Sequence, residues 1–292
     1  MKIINSYTEQ KCPFCGNHCI RKCGNIQYTL PVVFADTPAE LTYHPELWEC
    51  LGCGSKFTQY IVPEETAIDL YSHPVTNRWD YGTPFEGYHT ETVVNIVREV
   101  CQSGMQVLDI GCSTGYVLDY VKGLGCRTYG IEYSDRARGK CIRNGHTCYQ
   151  NSQEIPADTL FDRILCFDVL EHVYAPGGFL DEYTKYLVPG GIAVIITGDI
   201  ECRSALRYGC NWWYIRYPEH IRFPSEQWIS GLPQVTVIEK HPCYASRYHG
   251  GSFLWKALLF LNQIRLWEFN GYPAFTPDHM CILLQKKGVC EQ

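Results

Sequence analysis

Hydrophobic positions between residues 90 and 241 follow two alternating patterns. Short apolar runs, such as 192–197, are typical of strands buried on both faces of a parallel sheet. Between them, apolar residues recur at helical spacing, as in 116–124, which predicts amphipathic helices. Strands that alternate with helices predict an α/β fold. We expect a Rossmann-like, seven-stranded and mostly parallel sheet, whose last strand, 280–285, is antiparallel.

One stretch of this pattern, residues 106–115, carries chemistry. An apolar strand containing Asp109 runs into a turn that opens with Gly111 and closes with Gly115, and a helical pattern follows. A strand, a glycine turn and a helix together present backbone to an adenosyl cofactor. A dinucleotide site would need Gly-x-Gly-x-x-Gly, so that a pyrophosphate lies at a helix N-terminus. Asp109 would repel a pyrophosphate, but it suits a cofactor with a cationic methionyl end.

Two later strand ends add residues to the same predicted cofactor site. The second strand is followed by Glu132, whose carboxylate would accept hydrogen bonds from both ribose hydroxyls. Tyr133 comes next and would pack on the adenine. The fourth strand ends at Phe167 and is followed by Asp168. We predict that all four residues bind the cofactor.

These stretches resemble the class I S-adenosylmethionine-dependent methyltransferases. The resemblance is carried by residues 107–115, 130–132, 161–173 and 187–195, which fit the family in order and spacing. It covers about residues 90–240 and implies S-adenosylmethionine as the cofactor. One departure is Ser113, where the family often has glycine.

Two CxxC motifs form a second pattern, near the N-terminus. They are Cys12-Pro-Phe-Cys15 and Cys50-Leu-Gly-Cys53, and glycines stand beside both. Glycine allows the positive φ with which backbone N–H groups turn toward thiolate sulfur. Four thiolates at tetrahedral geometry suit a closed structural zinc site, and iron in a site of the same type is the alternative. Cys19 and Cys23 are either alternative ligands or spare thiols.

The cellular compartment determines whether these cysteines are expected to be reduced thiols or disulfides. The N-terminal residues show no signal-peptide pattern, so we expect a cytoplasmic protein with reduced thiols. Under reducing conditions, paired CxxC motifs indicate a metal site rather than disulfides.

The length of 292 residues predicts one large and one small domain. We place a zinc-binding lobe at 1–62, a connector rich in proline and glycine at 63–89, and the methyltransferase domain at 90–292. An aromatic insertion is expected at 242–278, with a helix-like stretch at 253–269. That stretch would pack on the sheet or on a second subunit, and the alternative is a lid over the substrate or a helix at a lipid surface.

Charge and hydropathy narrow the choice of partners. The net charge is −6, and residues 1–60 hold five basic and five acidic side chains. A lobe that reads nucleic acid normally shows a basic face, so we expect a small-molecule substrate instead. No apolar run reaches the roughly 18 residues that a membrane-spanning helix needs.

Methyl transfer requires a positioned nucleophile, together with a base where the nucleophile must lose a proton. Two histidines are candidates for the base: His172, after the fourth strand, and His220, after the fifth. Glu219 precedes His220 and would raise its basicity and fix its tautomer. Tyr217 belongs to the same cluster.

A four-cysteine lobe followed by a class I domain with Tyr-x-Glu-His resembles the zinc-containing sugar C-methyltransferases. The resemblance spans about residues 10–240. In that family the three residues lie at the substrate and the histidine is the favoured base, which implies these roles for Tyr217, Glu219 and His220. Those enzymes also carry a further C-terminal domain that helps to bind a nucleotide sugar, whereas only the aromatic insertion is present here. We therefore expect a small acceptor other than a nucleotide sugar.

The sequence thus predicts methyl transfer from S-adenosylmethionine to a sugar or a sugar-containing metabolite, with a histidine as general base. Two alternatives remain. One is an RNA methyltransferase that uses the zinc lobe for recognition, and the other is a non-catalytic protein that binds the cofactor.

Overall fold

A computed structural model of the chain describes residues 8–28, 30–35, 37–73, 90–243 and 277–287, together with Ala257 and Leu261. Its N-terminal part contains five short strands: β1 Ile20–Asn25, β2 Val33–Phe34, β3 Thr37–Pro38, β4 Glu46–Cys50 and β5 Lys56–Gln59. Two helices follow, α1 Glu64–Ser72 and α2 Thr90–Val100.

Strands and helices then alternate. In chain order they are β6 Gln106–Ile110, α3 Tyr116–Gly123, β7 Arg127–Ile131, α4 Asp135–Arg143, β8 Thr147–Tyr149, β9 Phe161–Phe167, α5 Pro176–Lys185 and β10 Leu187–Gly198. The remaining elements are α6 Arg203–Tyr208, β11 Arg222–Phe223, α7 Glu226–Ser230, β12 Val235–Cys243 and β13 His279–Lys286. Single 3₁₀ turns occupy Ser152–Glu154, Leu170–His172 and Gly209–Asn211.

The main sheet has seven strands in the order β12-β13-β10-β9-β6-β7-β8. The five strands from β10 to β8 are parallel, and β13 is antiparallel to both of its neighbours. The predicted Rossmann-like, mostly parallel sheet is therefore confirmed. The chain progresses outward in opposite directions from β6 and β9, and ligands of such sheets bind where the strand order reverses, beyond the carboxyl ends of the strands.

Alternation along the central strands places one apolar core on each face of the sheet. Leu165, Val194 and Ile196 pack with the apolar side of α2, whereas Ile164 and Ile195 pack with that of α5. All five side chains are buried. Burial on both faces explains why residues 164–167 of β9 and 192–196 of β10 are apolar in succession and do not alternate with polar residues.

The N-terminal strands form a separate four-stranded sheet in the order β1-β4-β5-β11. Its last strand comes from the main domain, since Arg222 pairs with Phe57 and Phe223 with Lys56. Among the described residues of 27–34, only Val33–Phe34 form a strand. The longer strand, β1, lies at the sheet edge and is largely exposed, so its charged sequence carries no apolar signal.

The connector contains one element that was not predicted, the helix α1, and residues 74–89 lie outside the described residues. The insertion begins later than predicted, because β12 continues to Cys243. The predicted aromatic helix at 253–269 lies outside the described residues, except for Ala257 and Leu261. No helix among the described residues is long and apolar enough to cross a membrane.

Candidate active site and cysteine centre

The turn after β6 has a backbone that only glycine tolerates at two positions. Gly111 and Gly115 adopt φ values of +72° and +88°. A Cβ atom at Gly111 would lie 2.6 Å from a methyl carbon of Val169, and one at Gly115 would lie 2.8 Å from Cδ2 of His146. The turn is thus closely packed from behind, and its backbone forms the carboxyl edge of the sheet at β6.

Glu132 stands beside this turn, directly after β7. One carboxylate oxygen accepts the amide hydrogen of Ser113 at 2.9 Å, and the other accepts that of Ser134 at 2.8 Å. Burial raises the pKa of Glu132, while these two hydrogen bonds oppose the increase. Each oxygen retains a lone pair, so the fixed carboxylate can accept two further hydrogen bonds from vicinal hydroxyls. Tyr133, the next residue, exposes 39% of its surface.

Asp109 lies at the same edge, on β6, and is almost completely buried. Burial raises its pKa well above the usual value, and the neighbouring Cys148 and Glu132 add to the increase. A cationic ligand group beside Asp109 would reverse this effect, because an opposite charge favours the ionised carboxylate.

Asp168 follows β9 with a left-handed φ of +53°, and its amide donates to the carbonyl oxygen of Ile196 at 2.9 Å. Its Oδ1 atom lies 3.9 Å from Nε2 of His279. The other ring nitrogen of His279 lies 2.9 Å from Oδ1 of Asp278. Both Asp278 and His279 are buried. Phe167, the preceding residue, packs partly buried against the core face of α2.

Sequence reasoning missed Asp278 and His279. Asp278 precedes the apolar strand β13, and His279 is its first residue. Because this strand is antiparallel to β10, His279 lies beside Gly198, the last residue of β10. His279 therefore reaches the carboxyl edge of the sheet. The available signal was an adjacent acid and histidine at the start of a buried antiparallel strand.

His172 and His220, the two candidate bases, lie together, with ring centroids 4.8 Å apart and ring planes nearly perpendicular. Nδ1 of His220 is 2.7 Å from the carbonyl oxygen of Tyr214. Since a carbonyl only accepts hydrogen bonds, Nδ1 carries the proton and Nε2 keeps its lone pair in the neutral ring. Burial lowers the pKa of His220 well below its usual value, and the charges of His172 and Arg216 lower it further.

His172 is held in a similar way on the other side. Its Nδ1 atom lies 3.0 Å from the carbonyl oxygen of Glu219 and 3.3 Å from the hydroxyl of Tyr71 in α1. Glu171, which sequence reasoning also missed, is fully buried and accepts hydrogen bonds from the hydroxyls of Thr197 and Tyr214. The backbone carbonyls of Tyr214 and Glu219 therefore fix the orientations of His220 and His172, respectively.

Glu219 and Tyr217 lie near these histidines, but their side chains contact the N-terminal part of the chain. The carboxylate of Glu219 accepts the amide hydrogen of Ala35 at 3.2 Å. The hydroxyl of Tyr217 donates to the carbonyl oxygen of Tyr60 at 2.9 Å. Orientation of His220 by the Glu219 carboxylate, as predicted, is not what the structure contains, because the carbonyl of Tyr214 makes that contact.

The cysteine centre lies in the N-terminal part. The Sγ atoms of Cys12 and Cys53 are 3.7 Å apart, those of Cys15 and Cys50 are 3.6 Å apart, and all four lie within 4.8 Å of one another. A tetrahedral ion with bonds of about 2.3 Å would require sulfur–sulfur distances of about 3.8 Å. The four thiols therefore fit a zinc-sized ion.

Backbone around the four thiols is also arranged for thiolates. The amide of Phe14 points to Sγ of Cys12 at 3.4 Å, and that of Gly52 points to Sγ of Cys50 at 3.3 Å. Gly16 and Gly54 close the two turns with φ values of +73° and +75°, as predicted for glycine beside such motifs. Cys19 and Cys23 are exposed and lie outside this group.

Residues 90–232 match the sequence model of a family described as "Methyltransferase domain". An aligned stretch of 142 residues is 29% identical to a ubiquinone biosynthesis O-methyltransferase of Burkholderia vietnamiensis and covers 44% of this chain and 60% of that protein. A stretch of 104 residues is 33% identical to the protein of the same name in a Bradyrhizobium species and covers 33% of this chain and 41% of that one. The aligned parts thus fall well short of the full length of either relative.

Among solved structures, the fold is similar to that of magnesium protoporphyrin IX methyltransferase from Synechocystis PCC 6803 with bound S-adenosylhomocysteine. The TM-score is 0.54 at 13% identity, and the match covers 77% of this chain and 100% of that chain. At this level of identity the match concerns the fold. Together with the strand order and the glycine turn, these matches show that residues 90–232 have the fold of the class I S-adenosylmethionine-dependent methyltransferases.

Proposed function

We propose that this protein transfers a methyl group from S-adenosylmethionine to a small-molecule acceptor. One observation carries the proposal: the glycine turn and a buried, neutral histidine that retains a basic nitrogen both lie within residues 90–232. The ring of His220 packs against Tyr214, and Tyr214 packs against His279 at the carboxyl edge of the sheet. Nδ1 of His220 donates a hydrogen bond to the carbonyl oxygen of Tyr214. The other ring nitrogen, Nε2, therefore keeps its lone pair and can accept a proton. A base that removes a proton from a nucleophile needs such an unprotonated nitrogen.

The residues around the turn suit each part of the cofactor. Glu132, held by two amides, would accept hydrogen bonds from the ribose hydroxyls, and Tyr133 offers an exposed ring face to the adenine. Asp109 would face the cationic methionyl end, and Phe167 and Asp168 would line the opposite wall. When bound, S-adenosylmethionine supplies an activated methyl group.

His220 would take the proton from the acceptor as the acceptor attacks. The low pKa of this histidine keeps it neutral at physiological pH, so the ring is in the basic form before the reaction begins. The carbonyl of Tyr214 holds the Nδ1 proton and stabilises the imidazolium that forms. His172 lies edge-on to this ring and would restrict its rotation.

The N-terminal lobe would complete the acceptor side of the site. Ala35 and Tyr60 of the lobe contact Glu219 and Tyr217, and Tyr71 of the connector helix α1 contacts His172. We propose that Cys12, Cys15, Cys50 and Cys53 hold one structural zinc ion, which folds the lobe and thereby fixes these contacts.

The acceptor class follows from the rings on this side. The rings of Tyr43 and Tyr60 stack with their centroids 5.1 Å apart. The ring centroids of Tyr28 and Tyr217 lie 6.3 Å apart. Flat aromatic faces with a polar edge bind ring-shaped acceptors that carry hydroxyls. A sugar or a sugar-containing metabolite is the first candidate. A phenol is the second, favoured by the aligned ubiquinone biosynthesis O-methyltransferases.

The test is product analysis with an isotopically labelled methyl donor and a metabolite extract. We expect label in a small hydroxylated product, and its mass and fragmentation distinguish a methylated sugar from a methylated phenol. RNA added in parallel should remain unlabelled, because the lobe is neutral in charge. Normal binding of S-adenosylhomocysteine without any labelled product would instead indicate a non-catalytic cofactor-binding protein.

A further inference from the structure

Three further thiols meet behind the glycine turn, apart from the four in the lobe. Cys112 belongs to the turn, Cys141 to α4 and Cys148 to β8. Sγ of Cys112 lies 3.8 Å from that of Cys141 and 3.5 Å from that of Cys148, and all three sulfurs lie within 4.8 Å of one another. Cys112 and Cys141 are buried and Cys148 is half-buried. The turn, α4 and β8 thus bring three sulfur atoms together.

Two glycines provide the space that these sulfurs occupy. A Cβ atom at Gly130 in β7 would lie 2.4 Å from Sγ of Cys112 and 3.2 Å from Sγ of Cys148. A Cβ atom at Gly115 would lie 2.9 Å from Sγ of Cys141. Any other residue at either position would displace a sulfur atom from the group.

The number and type of ligands determine which ion would fit. Thiolates are soft ligands that select Cu(I) and zinc, but structural zinc sites are closed by four ligands. Within the described part of the chain, no fourth cysteine, histidine or carboxylate atom joins this group. His146 is nearby, but both of its nitrogens are engaged, Nδ1 with Thr128 at 2.8 Å and Nε2 with Asp119 at 3.0 Å.

We propose that Cys112, Cys141 and Cys148 form a three-thiolate binding site for a soft monovalent metal ion of the Cu(I) type. A trigonal ion with metal–sulfur bonds of about 2.3 Å would require sulfur–sulfur distances of about 4 Å. The observed distances of 3.5 and 3.8 Å reach that value with a small outward movement of the side chains. The half-buried Cys148 provides the path of entry from solvent.

A bound ion would connect the glycine turn to α4 and β8. Cys112 is flanked in the turn by Gly111, whose amide donates to Ile131 at 2.8 Å, and by Ser113, whose amide donates to Glu132 at 2.9 Å. The ion would therefore stabilise the folded state by binding residues that are brought together only on folding. This site does not depend on the reaction that the protein catalyses.

The experiment is an anaerobic titration of the zinc-replete, full-length protein with Cu(I) in competition with the chelator bathocuproine disulfonate. We expect one equivalent of copper to be retained without loss of zinc, and X-ray absorption to show sulfur ligands only. Cys148→Ser and Cys141→Ser should each lose this copper, since removal of a ligand costs more than the roughly 10–100-fold in affinity that follows loss of an outer-shell partner.

Cys202→Ser is the matched control and should retain the copper. Cys202 is the N-cap of α6, where its sulfur accepts the amide hydrogen of Ala205, and serine is a favoured residue at such a position. In the wild-type protein, Cu(I) should also block alkylation of Cys148 by N-ethylmaleimide, which requires no variant to fold. Equal copper retention by Cys148→Ser and wild type, or copper uptake only with release of zinc, would overturn the proposal.

Discussion

The Nδ1 atom of His220 lies 2.7 Å from the carbonyl oxygen of Tyr214, six residues earlier in the chain. This contact assigns the tautomer of a buried imidazole and leaves Nε2 as its basic atom. A general base needs both properties, a fixed orientation and a free lone pair.

Replacement of His220 by alanine should therefore reduce turnover by about 10²–10⁴-fold, the usual cost of losing a positioned base. His220→Asn is the matched variant, because its amide NH₂ can still donate to Tyr214 while the basic nitrogen is lost, and it should be as slow as the alanine variant. Calorimetry should show unchanged binding of S-adenosylhomocysteine in both. His172→Ala should be milder, and an active His220→Ala beside an inactive His172→Ala would move the base to His172.

The pH dependence of catalysis should also reflect His220. Burial and the charges of His172 and Arg216 hold its pKa well below 6.5, so kcat/KM should not fall on the acid side until the pH is below that value. His172→Ala removes one of these charges and should move the acid limb of the profile to higher pH. An unchanged limb in that variant would show that another group titrates.

The same histidine should affect stability in acid. Below about pH 6.5 the ring is protonated in the unfolded chain but remains neutral in the folded protein, so the unfolded state binds more protons. The free energy of unfolding should therefore decrease as the pH falls from 6.5 toward the folded-state pKa. Urea titrations at several pH values should show a smaller decrease for His220→Asn.

Glu132→Ala should weaken binding of S-adenosylhomocysteine by roughly 1–3 kcal/mol through loss of the ribose hydrogen bonds. Glu132→Gln is the control, because it keeps one acceptor oxygen and the shape of the side chain, and it should lose less. Isothermal titration calorimetry measures both. Tight binding of a nicotinamide dinucleotide, without a response to S-adenosylhomocysteine, would contradict the cofactor assignment.

Asp109 should reduce stability and support binding at the same time. Its pKa is raised by burial, so above about pH 3.8 the unfolded chain loses a proton that the folded protein keeps, and stability decreases as the pH rises toward the folded-state pKa. Asp109→Asn should remove this pH dependence and weaken binding of S-adenosylmethionine. The cost of burying the asparagine amide does not depend on pH, so it cancels when the slopes of the unfolding free energy against pH are compared. An unchanged slope would exclude Asp109 as the titrating group.

Cys50→Ser should lower the zinc content from about one ion per chain and destabilise the lobe. Because Ala35 and Tyr60 then lose their fixed positions beside Glu219 and Tyr217, turnover should fall as well. Cys19→Ser is the control, since its exposed thiol lies in the same lobe but outside the group of four, and it should retain zinc. Atomic emission spectrometry of protein purified without added metal measures both. Full zinc content in Cys50→Ser would show that the ligands are assigned wrongly.

The parts of this structure that local chemistry determines were predictable. The turn at Gly111 and Gly115 and the acidic residue after β7 lie within a few positions of a strand end, so their roles follow from sequence spacing. The two CxxC motifs are local in the same sense. Each pair converges because a tight turn brings its two sulfurs together, and only the meeting of the two turns requires the fold.

The parts that long-range register determines were not predictable. His279 reaches the site only because β13 is antiparallel, with His279 beside Gly198. The partner of His220 is a backbone carbonyl, which every residue has, so nothing in the side chain of Tyr214 marks this contact. The two-residue strand β11 is too short to give any periodic signal, although it joins the lobe to the domain.

The short strand β11 limits how the lobe can be exchanged between proteins, by recombination or by engineering. Arg222 on β11 is completely buried, and its guanidinium bonds to Glu9 at 2.5 Å and to the carbonyl oxygen of Tyr174 at 3.1 Å. Ser225, just beyond it, exchanges hydrogen bonds with Ser55. The lobe is therefore not an interchangeable module that recombination could append at the end of a gene. A transplant would have to carry residues 222–225 with it, and an isolated 90–292 fragment would expose an uncovered strand and leave Arg222 without its ion pair to Glu9.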